Sequence, residues 1–288
     1  LCARKNLSHM LIPRIITAIA LLAVLLPALF AGTPQPFALV TLLLIVAGCW
    51  EWGRLNGLSS QAALLSGVVV GGCLAAAWWH GSVEALAGSG VMPAALERAT
   101  WLVVTTVWVL GSAYLIRAGV GQWSNVARPL RLILGWLLLA VTWWAMARAR
   151  VVGINFLLSL MVLVWVADVA AYFGGRAWGN RKLAASISPG KTWAGAYSGL
   201  VGVLVLAAVW MQVDHYGWVD SPSVFSVLYD RHPVLMVVGV LFLVTMAVVG
   251  DLMESLVKRS VGVKDSSGLL PGHGGVLDRV DALLPVLP

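Results

Sequence analysis

The chain has 288 residues, of which 60% are apolar and only 11% are charged, and its formal net charge is +7. Soluble domains usually have about a quarter of their residues charged, so this composition excludes an ordinary soluble globular protein. It indicates a membrane domain in which basic residues at the ends of spans, rather than a nucleic-acid surface, explain the positive charge. The three cysteines, Cys2, Cys49 and Cys73, lack the spacing of a zinc site or a disulfide framework.

Eight apolar runs are long enough to cross a bilayer, since roughly 20 helical residues rising about 1.5 Å each span the hydrocarbon core. Residues 1–9 look like an extension upstream of a natural start at Met10, and residues 10–288 are expected to form a single membrane domain. We therefore predict an all-α, polytopic helical bundle with spans near residues 11–30, 36–50, 61–80, 99–116, 130–147, 151–174, 195–213 and 233–250.

The distribution of lysine and arginine predicts how this bundle is oriented. Basic residues precede the first span and follow the second, fourth, sixth and eighth spans. By the positive-inside rule, these segments and the N-terminus lie in the cytoplasm. Arg148 and Arg150 fall on the opposite side and disagree with this assignment.

The segment after the sixth predicted span contains the first candidate site residues. Asp168 lies near the cytoplasmic end of that span, where a carboxylate needs a partner. Cations and hydroxyl groups suited to phosphate contacts follow it: Arg176, Lys182, Ser188, Lys191 and Thr192. A loop that is basic only because it is cytoplasmic, with a proline at a helix start, is the alternative, and the sequence leaves both interpretations open.

The residues after the eighth span predict a polar helical face. If the helix continues past residue 250, Asp251, Ser255 and Lys258 lie at i, i+4 and i+7 on one side of it. A carboxylate, a hydroxyl and an ammonium group that face one cavity suit a polyphosphate bridged by a metal ion. An ordinary ion pair beside the membrane is the alternative.

A polar, glycine-rich stretch over residues 263–281 comes next. Its glycines would allow backbone N–H groups to approach and bind oxyanions. Asp278 and Asp281 would share a face if a helix begins there, and carboxylates of this kind suit Mg²⁺, which is usually held by one or two of them together with substrate phosphates. The sequence has no Cys/His cluster, which disfavours zinc. A glycine turn capped by an aspartate is the alternative.

These residues resemble a known family, the phosphatidate cytidylyltransferases, also called CDP-diacylglycerol synthases. Asp168 to Arg176 and the run Ser188-Pro-Gly-Lys-Thr-Trp193 are similar to one block of that family, so residues 168–281 are interpreted as the catalytic region. The stronger resemblance is to the family signature, Ser255-x-Val-Lys258-Arg259-x4-Lys264-Asp265-x-Ser267-x2-Leu270-Pro271-x-His273-Gly274-Gly275-Val276-x-Asp278-Arg279-Val280-Asp281.

The resemblance implies that CTP and phosphatidate are converted to CDP-diacylglycerol and pyrophosphate at the cytoplasmic face of the inner membrane. It implies Mg²⁺ on Asp251, Asp278 and Asp281, with a second cation such as K⁺ also consistent with the family. It further implies membrane lipid as a partner and a homodimer. Phosphate charge would be neutralised by Lys258, Arg259, Lys264 and Arg279. His273 would donate to the pyrophosphate leaving group or orient the glycine loop, and Arg176, Ser188, Lys191, Thr192, Ser255 and Asp168 would contact substrate.

Two departures from the family pattern accompany the resemblance. Ala194 stands where family members often have Glu or Gln. The chain ends at Pro288, where members usually continue through another apolar helix, so residues 282–288 are expected to begin that helix in a shortened sequence. The alternatives are a CTP-dependent enzyme that acts on an isoprenoid lipid and, in a different class, a polytopic transporter whose charges line a pathway.

Overall fold

The computed structural model describes residues 2–80 and 94–288, with side chains from residue 13 to 80 and from residue 95 onward. It is almost entirely helical. The helices are α1 (Cys2–Leu29), α2 (Gln35–Leu55), α3 (Ser60–His80), α4 (Ala94–Thr106), α5 (Ser112–Ala118), α6 (Val120–Asn125), α7 (Arg128–Val152), α8 (Ile154–Trp178), α9 (Trp193–His215), α10 (Val224–Arg231), α11 (Pro233–Ser260) and α12 (Leu277–Val280). A π-helical turn, Val107–Gly111, joins α4 to α5, and two short strands, β1 (Lys182–Ala184) and β2 (Ser188–Thr192), precede α9.

Within the described residues, seven helical stretches are long and apolar enough to cross a membrane. They correspond to the second through eighth predicted spans, which confirms an all-α, multi-pass membrane protein. The first predicted span falls on α1, whose described apolar part is the shorter stretch Pro13–Leu29. The last long helix, α11, has 28 residues and continues to Ser260, well beyond the predicted end near residue 250.

Close helix packing in the bundle depends on small residues. A methyl group on Gly195 would lie 2.8 Å from the Ala171 carbonyl oxygen, and one on Gly199 would lie 2.9 Å from the Ala167 carbonyl oxygen. These contacts let the backbones of α8 and α9 approach directly, as small residues do between membrane helices. The same principle applies between α2 and α3, where a methyl group on Gly67 would lie 2.7 Å from a backbone oxygen of α2.

The C-terminal residues pack into the core of the bundle. Helical turns follow α12, with Leu284 N donating to Val280 O at 3.0 Å, and Ala282, Leu283 and Val286 are buried. These residues pack in the same apolar cluster as parts of α7, α8 and α11. After Asp281 the chain thus forms hydrogen-bonded turns that pack against the bundle, and the further apolar helix stays a prediction.

Hydrogen bonds at the end of the bundle away from the β-hairpin explain the two arginines that disagreed with the predicted orientation. Arg150 donates to the carbonyl oxygens of Leu29 (2.9 Å) and Ala31 (2.7 Å), which lie at the end of α1 and just beyond it. Arg148 pairs with Glu97 at 2.8 Å. Because both cations satisfy groups within the protein, their position reflects packing rather than orientation in the membrane.

Candidate active site

The β-hairpin supplies one wall of the candidate site. Strands β1 and β2 pair antiparallel, with Lys182 opposite Thr192. The buried side chain of Ile187 fixes the hairpin tip to the bundle, and the Thr192 hydroxyl accepts a hydrogen bond from Gly195 N at 3.1 Å, capping α9. The sequence predicted a loop here, because strands this short give no periodic signal. Their pairing places Lys191 immediately before a fixed helix start.

A cavity of about 490 Å³ lies between the hairpin and helices α8, α9 and α11. Its apolar lining includes Ala167, Val244 and Val248 among others. Its polar lining includes six residues predicted from the sequence to form the site: Asp168, Arg176, Ser188, Lys191, Thr192 and Asp251. The cavity lining therefore combines charged and hydroxyl groups with apolar side chains.

An ion pair joins the two predicted site segments across this cavity. The Lys191 ammonium lies 2.5 Å from the Asp251 carboxylate, although the two residues belong to β2 and α11. The Asp251 carboxylate also accepts from the Ser255 hydroxyl at 3.3 Å, so two of the three residues of the predicted polar face are in contact. Sequence separation alone could not show that these segments meet.

Lys258 occupies a second, more buried position on α11. Its ammonium lies 2.5 Å from Glu254 and 2.6 Å from Asp278, so two carboxylates hold it. In this arrangement Lys258 fixes the loop that contains Asp278 to the helix. The predicted contact between Lys258 and substrate phosphate stays a prediction.

The Asp278 carboxylate organises the loop around it. One oxygen faces Lys258, and the other accepts from Ser266 N (2.9 Å) and Gly275 N (2.7 Å). Burial would raise the pKa of Asp278, but the Lys258 ammonium and these backbone donors outweigh burial and hold the pKa at about 2. Asp278 is therefore ionised in the folded protein at neutral pH.

Glu51 is a site residue that the sequence reasoning missed. It lies in the last turns of α2 and is completely buried. One carboxylate oxygen accepts from Ser267 Oγ (2.5 Å) and Val276 N (2.9 Å), and the other from Ser266 Oγ (3.1 Å) and Leu277 N (2.8 Å). A glutamate near the end of an apolar span was the available signal, since a charge at membrane depth is costly without partners.

These contacts correct the interpretation of the glycine-rich stretch as an oxyanion cradle. The backbone N–H groups of Gly275, Val276 and Leu277 bind the protein's own carboxylates, Asp278 and Glu51. The glycines instead allow close packing: a methyl group on Gly275 would lie 2.4 Å from a Glu51 carboxylate oxygen. These three N–H groups are therefore already bound within the protein.

The arrangement of Asp251 and Asp281 fits a hard cation better than that of Asp278. Burial, with the nearby negative charge of Asp251, raises the pKa of Asp281 to about 7. A cation would relieve this crowding of negative charge, and carboxylate oxygens are the ligands that Mg²⁺ prefers. The described residues contain no group of three or more His, Cys, Asp or Glu side chains that could hold a metal without substrate.

A larger cavity, of about 760 Å³, lies at the opposite end of the bundle. Its carboxylates already bind the protein. Asp214 accepts from Asn155 Nδ2 (2.8 Å) and Ser223 N (2.9 Å), and Asp220 accepts from Ile154 N (2.6 Å) at the start of α8. Because Asp214 and Asp220 are already bound by donors of the protein, the candidate active site is assigned to the hairpin cavity.

Comparison with known proteins agrees with this geometry. The model of the cytidylyltransferase family matches residues 12–288. The chain belongs to the cytidylyltransferase family. A phosphatidate cytidylyltransferase from Pseudomonas aeruginosa is 38% identical over 281 residues, which cover 97% of this chain and 95% of that protein. Another from Haemophilus influenzae is 34% identical, covering 97% and 96% respectively, and one from Bacillus subtilis is 40% identical over 136 residues, covering 47% of this chain and 46% of that protein.

The remaining predicted residues of this cytidylyltransferase lie around the loop after α11. Arg279 donates two hydrogen bonds to the carbonyl oxygen of His273, at 3.0 and 2.6 Å, and Arg259 donates to Val263 O at 3.2 Å. Lys264 is exposed on the same loop. The buried Nδ1 of His273 has no hydrogen-bond partner within the described part of the chain. Arg259 and Arg279 thus brace the loop, and their predicted roles toward substrate stay predictions.

Proposed function

We propose that this protein transfers the cytidylyl group of CTP to phosphatidate, giving CDP-diacylglycerol and pyrophosphate. The observation that carries the proposal is the hairpin cavity, whose lining combines charged and hydroxyl groups with apolar side chains. A reaction between a water-soluble nucleotide and a lipid phosphate needs such a junction. The named relatives support CTP and phosphatidate as the substrates.

The proposed chemistry is in-line displacement at phosphorus. A phosphate oxygen of phosphatidate attacks the α-phosphorus of CTP, the new P–O bond forms, and the bond to pyrophosphate breaks. The attacking oxygen is already largely ionised near neutral pH, because the second pKa of a phosphate monoester is about 6. A strong general base is therefore unnecessary, and the main task of the protein is to bring two polyanions together.

Lys191 and Arg176 are proposed to supply the positive charge for this approach. Both line the cavity, together with the hydroxyl groups of Ser188 and Thr192. Lys191 is half-buried beside Asp251, so it is held in place before substrate arrives. An incoming phosphate would share this ammonium, and the low-dielectric surroundings would strengthen the attraction.

Asp251 and Asp281 are proposed to hold Mg²⁺ when the triphosphate binds. The ion would supply charge neutralisation on phosphate oxygens. Asp251 and Asp278 are each paired with a lysine, but the Asp251 side chain is 32% exposed whereas that of Asp278 is 6% exposed, so a metal at Asp278 would have to displace the more buried ammonium of Lys258. We therefore assign Asp278 chiefly to holding Lys258 and the loop.

The end of the bundle that contains the hairpin cavity is proposed to face the cytoplasm. The predicted cytoplasmic segments, which include the hairpin and the loop after α11, meet at this end, where CTP is available. The excess of lysine and arginine in these segments supports that orientation.

The test is incorporation of labelled CTP into lipid by purified protein in detergent–lipid micelles. Phosphatidate should give a labelled lipid and release pyrophosphate, with a requirement for Mg²⁺. Prenyl phosphate, supplied in a parallel reaction, should give little product. Incorporation with prenyl phosphate alone would favour an isoprenoid substrate, and no incorporation with either lipid would reject the proposal.

A further inference from the structure

We infer that Glu51 is a positioning residue that sets the reactive geometry of the loop after α11 and is therefore required for turnover. The inference rests on the proposed function. Glu51 lies on α2, far along the chain from the loop, and it does not line the hairpin cavity. Its influence on the reaction would pass through the loop residues that it binds.

The first argument is the completeness of its contacts. Four donors from two separate parts of the loop meet one buried carboxylate: the hydroxyl groups of Ser266 and Ser267 and the backbone N–H groups of Val276 and Leu277. All four contacts lie between 2.5 and 3.1 Å. A single side chain thus fixes both ends of the glycine-rich stretch.

The second argument is the direct connection to the charged groups of the site. Ser266 contacts both Glu51 and Asp278, through its hydroxyl at 3.1 Å and 3.0 Å respectively. Asp278 in turn holds Lys258 on α11. Leu277, which donates to Glu51, is adjacent to Asp278. A displacement of Glu51 would therefore move Asp278 and the turn that leads to Asp281.

The third argument is the lack of free space around this carboxylate. A methyl group on Gly275 would lie 2.0 Å from the Ser266 hydroxyl and 2.4 Å from a Glu51 oxygen. The loop passes so close to Glu51 that a shorter or differently charged side chain could not keep all four donors. A misplacement of about 1 Å in a catalytic group can lower the rate by about 100-fold.

The experiment compares Glu51→Gln and Glu51→Asp with Leu42→Ala, a control that removes buried volume from the same helix nine positions before Glu51. Each protein is assayed for kcat, for KM toward CTP and phosphatidate, for the Mg²⁺ concentration at half-maximal rate, and for Tm. We expect both Glu51 variants to lose about 100-fold in kcat and to need more Mg²⁺. Leu42→Ala should lower Tm while keeping kcat within about threefold of the wild type.

The outcomes separate this inference from the proposed function. A wild-type protein that transfers no label from CTP to lipid refutes the proposed function itself. An active wild type with Glu51→Gln within about threefold in kcat overturns the positioning role. If the Glu51 variants unfold, Ser267→Ala, which removes one of the four donors, replaces them. A clear loss of kcat with Tm preserved in Ser267→Ala then supports the role, and unchanged kcat overturns it.

Discussion

Replacing Asp278 with asparagine removes the negative charge that the Lys258 ammonium meets in the folded protein. The Asp278 side chain is only 6% exposed, and its oxygens contact Lys258 on one side and backbone N–H groups on the other. In Asp278→Asn the amide oxygen can serve only one of these sides. Its NH₂ group then faces either the ammonium or the backbone donors, which leaves buried donors unpaired.

The magnitude follows from the pKa of this group. The folded protein lowers the pKa of Asp278 from 3.8 to about 2. At roughly 1.4 kcal/mol per pKa unit, the ionised carboxylate contributes about 2 kcal/mol to the free energy of unfolding at pH 7. Because the folded-state pKa is depressed, this contribution is present above pH 4 and is lost as the pH falls toward 2. Asp278→Asn should lack both the contribution and its loss in acid.

The assay is thermal unfolding in detergent at pH 7 and across the acidic range, together with the CTP-incorporation rate. Asp230→Asn, an exposed aspartate on α10 at the opposite end of the bundle, is the control. We expect Asp278→Asn alone to have a lower Tm at pH 7, a weaker dependence of Tm on acid, and a rate reduced by at least 100-fold. A wild-type Tm and rate for Asp278→Asn would refute the role of Asp278 as the anchor of Lys258.

Three further substitutions distinguish residues needed for activity from residues that only stabilise the fold. Lys191→Ala should lower kcat/KM for CTP by about 100-fold while Tm changes little, because this partly exposed ion pair contributes at most about 1 kcal/mol to stability. Gly275→Ala should abolish turnover, since its methyl group would lie 2.0 Å from the Ser266 hydroxyl, whereas Gly268→Ala, which meets no atom within 4 Å, should be active. Arg150→Ala should destabilise the protein by about 2 kcal/mol, measured by Tm, with unchanged KM for CTP.

Each of these predictions has its own contrary result. Lys182→Ala is the control for Lys191→Ala, because Lys182 is exposed and does not line the hairpin cavity. Equal rates in the two variants would remove Lys191 from the site. Full activity in Gly275→Ala would show that the loop can move away from Glu51 and make room for the added methyl group. A raised KM for CTP in Arg150→Ala would place that arginine in the site rather than in the scaffold.

The sequence predicted the parts of this protein that depend on local pattern. Apolar runs located the long helices, because the cost of exposing polar backbone in a bilayer leaves few alternatives. Helical spacing placed Asp251 and Ser255 on one face, and the structure joins them at 3.3 Å. The family resemblance predicted that the catalytic region extends from Asp168 to Asp281.

The parts that sequence could not predict depend on contacts between distant segments. Nothing in the spacing shows that Glu51 meets Val276, since the two are 225 positions apart and the contact requires the whole bundle to form. The prediction that the loop N–H groups bind oxyanions of a ligand was likewise wrong for Gly275, Val276 and Leu277, because a glycine-rich loop binds whichever anion is nearest. Here the nearest anions are internal carboxylates.

The hydrogen bond from Gly195 to Thr192 has a consequence for how the nucleotide is captured. Lys191 immediately precedes a helix of 23 residues whose first turn this bond secures. The backbone of Lys191 cannot move toward a ligand without unwinding that turn. The ammonium group of Lys191 can therefore reach only as far as its side chain extends. Selectivity would then follow from geometry: a phosphate that stops a few ångströms short of the lysine gains little attraction, however highly charged it is.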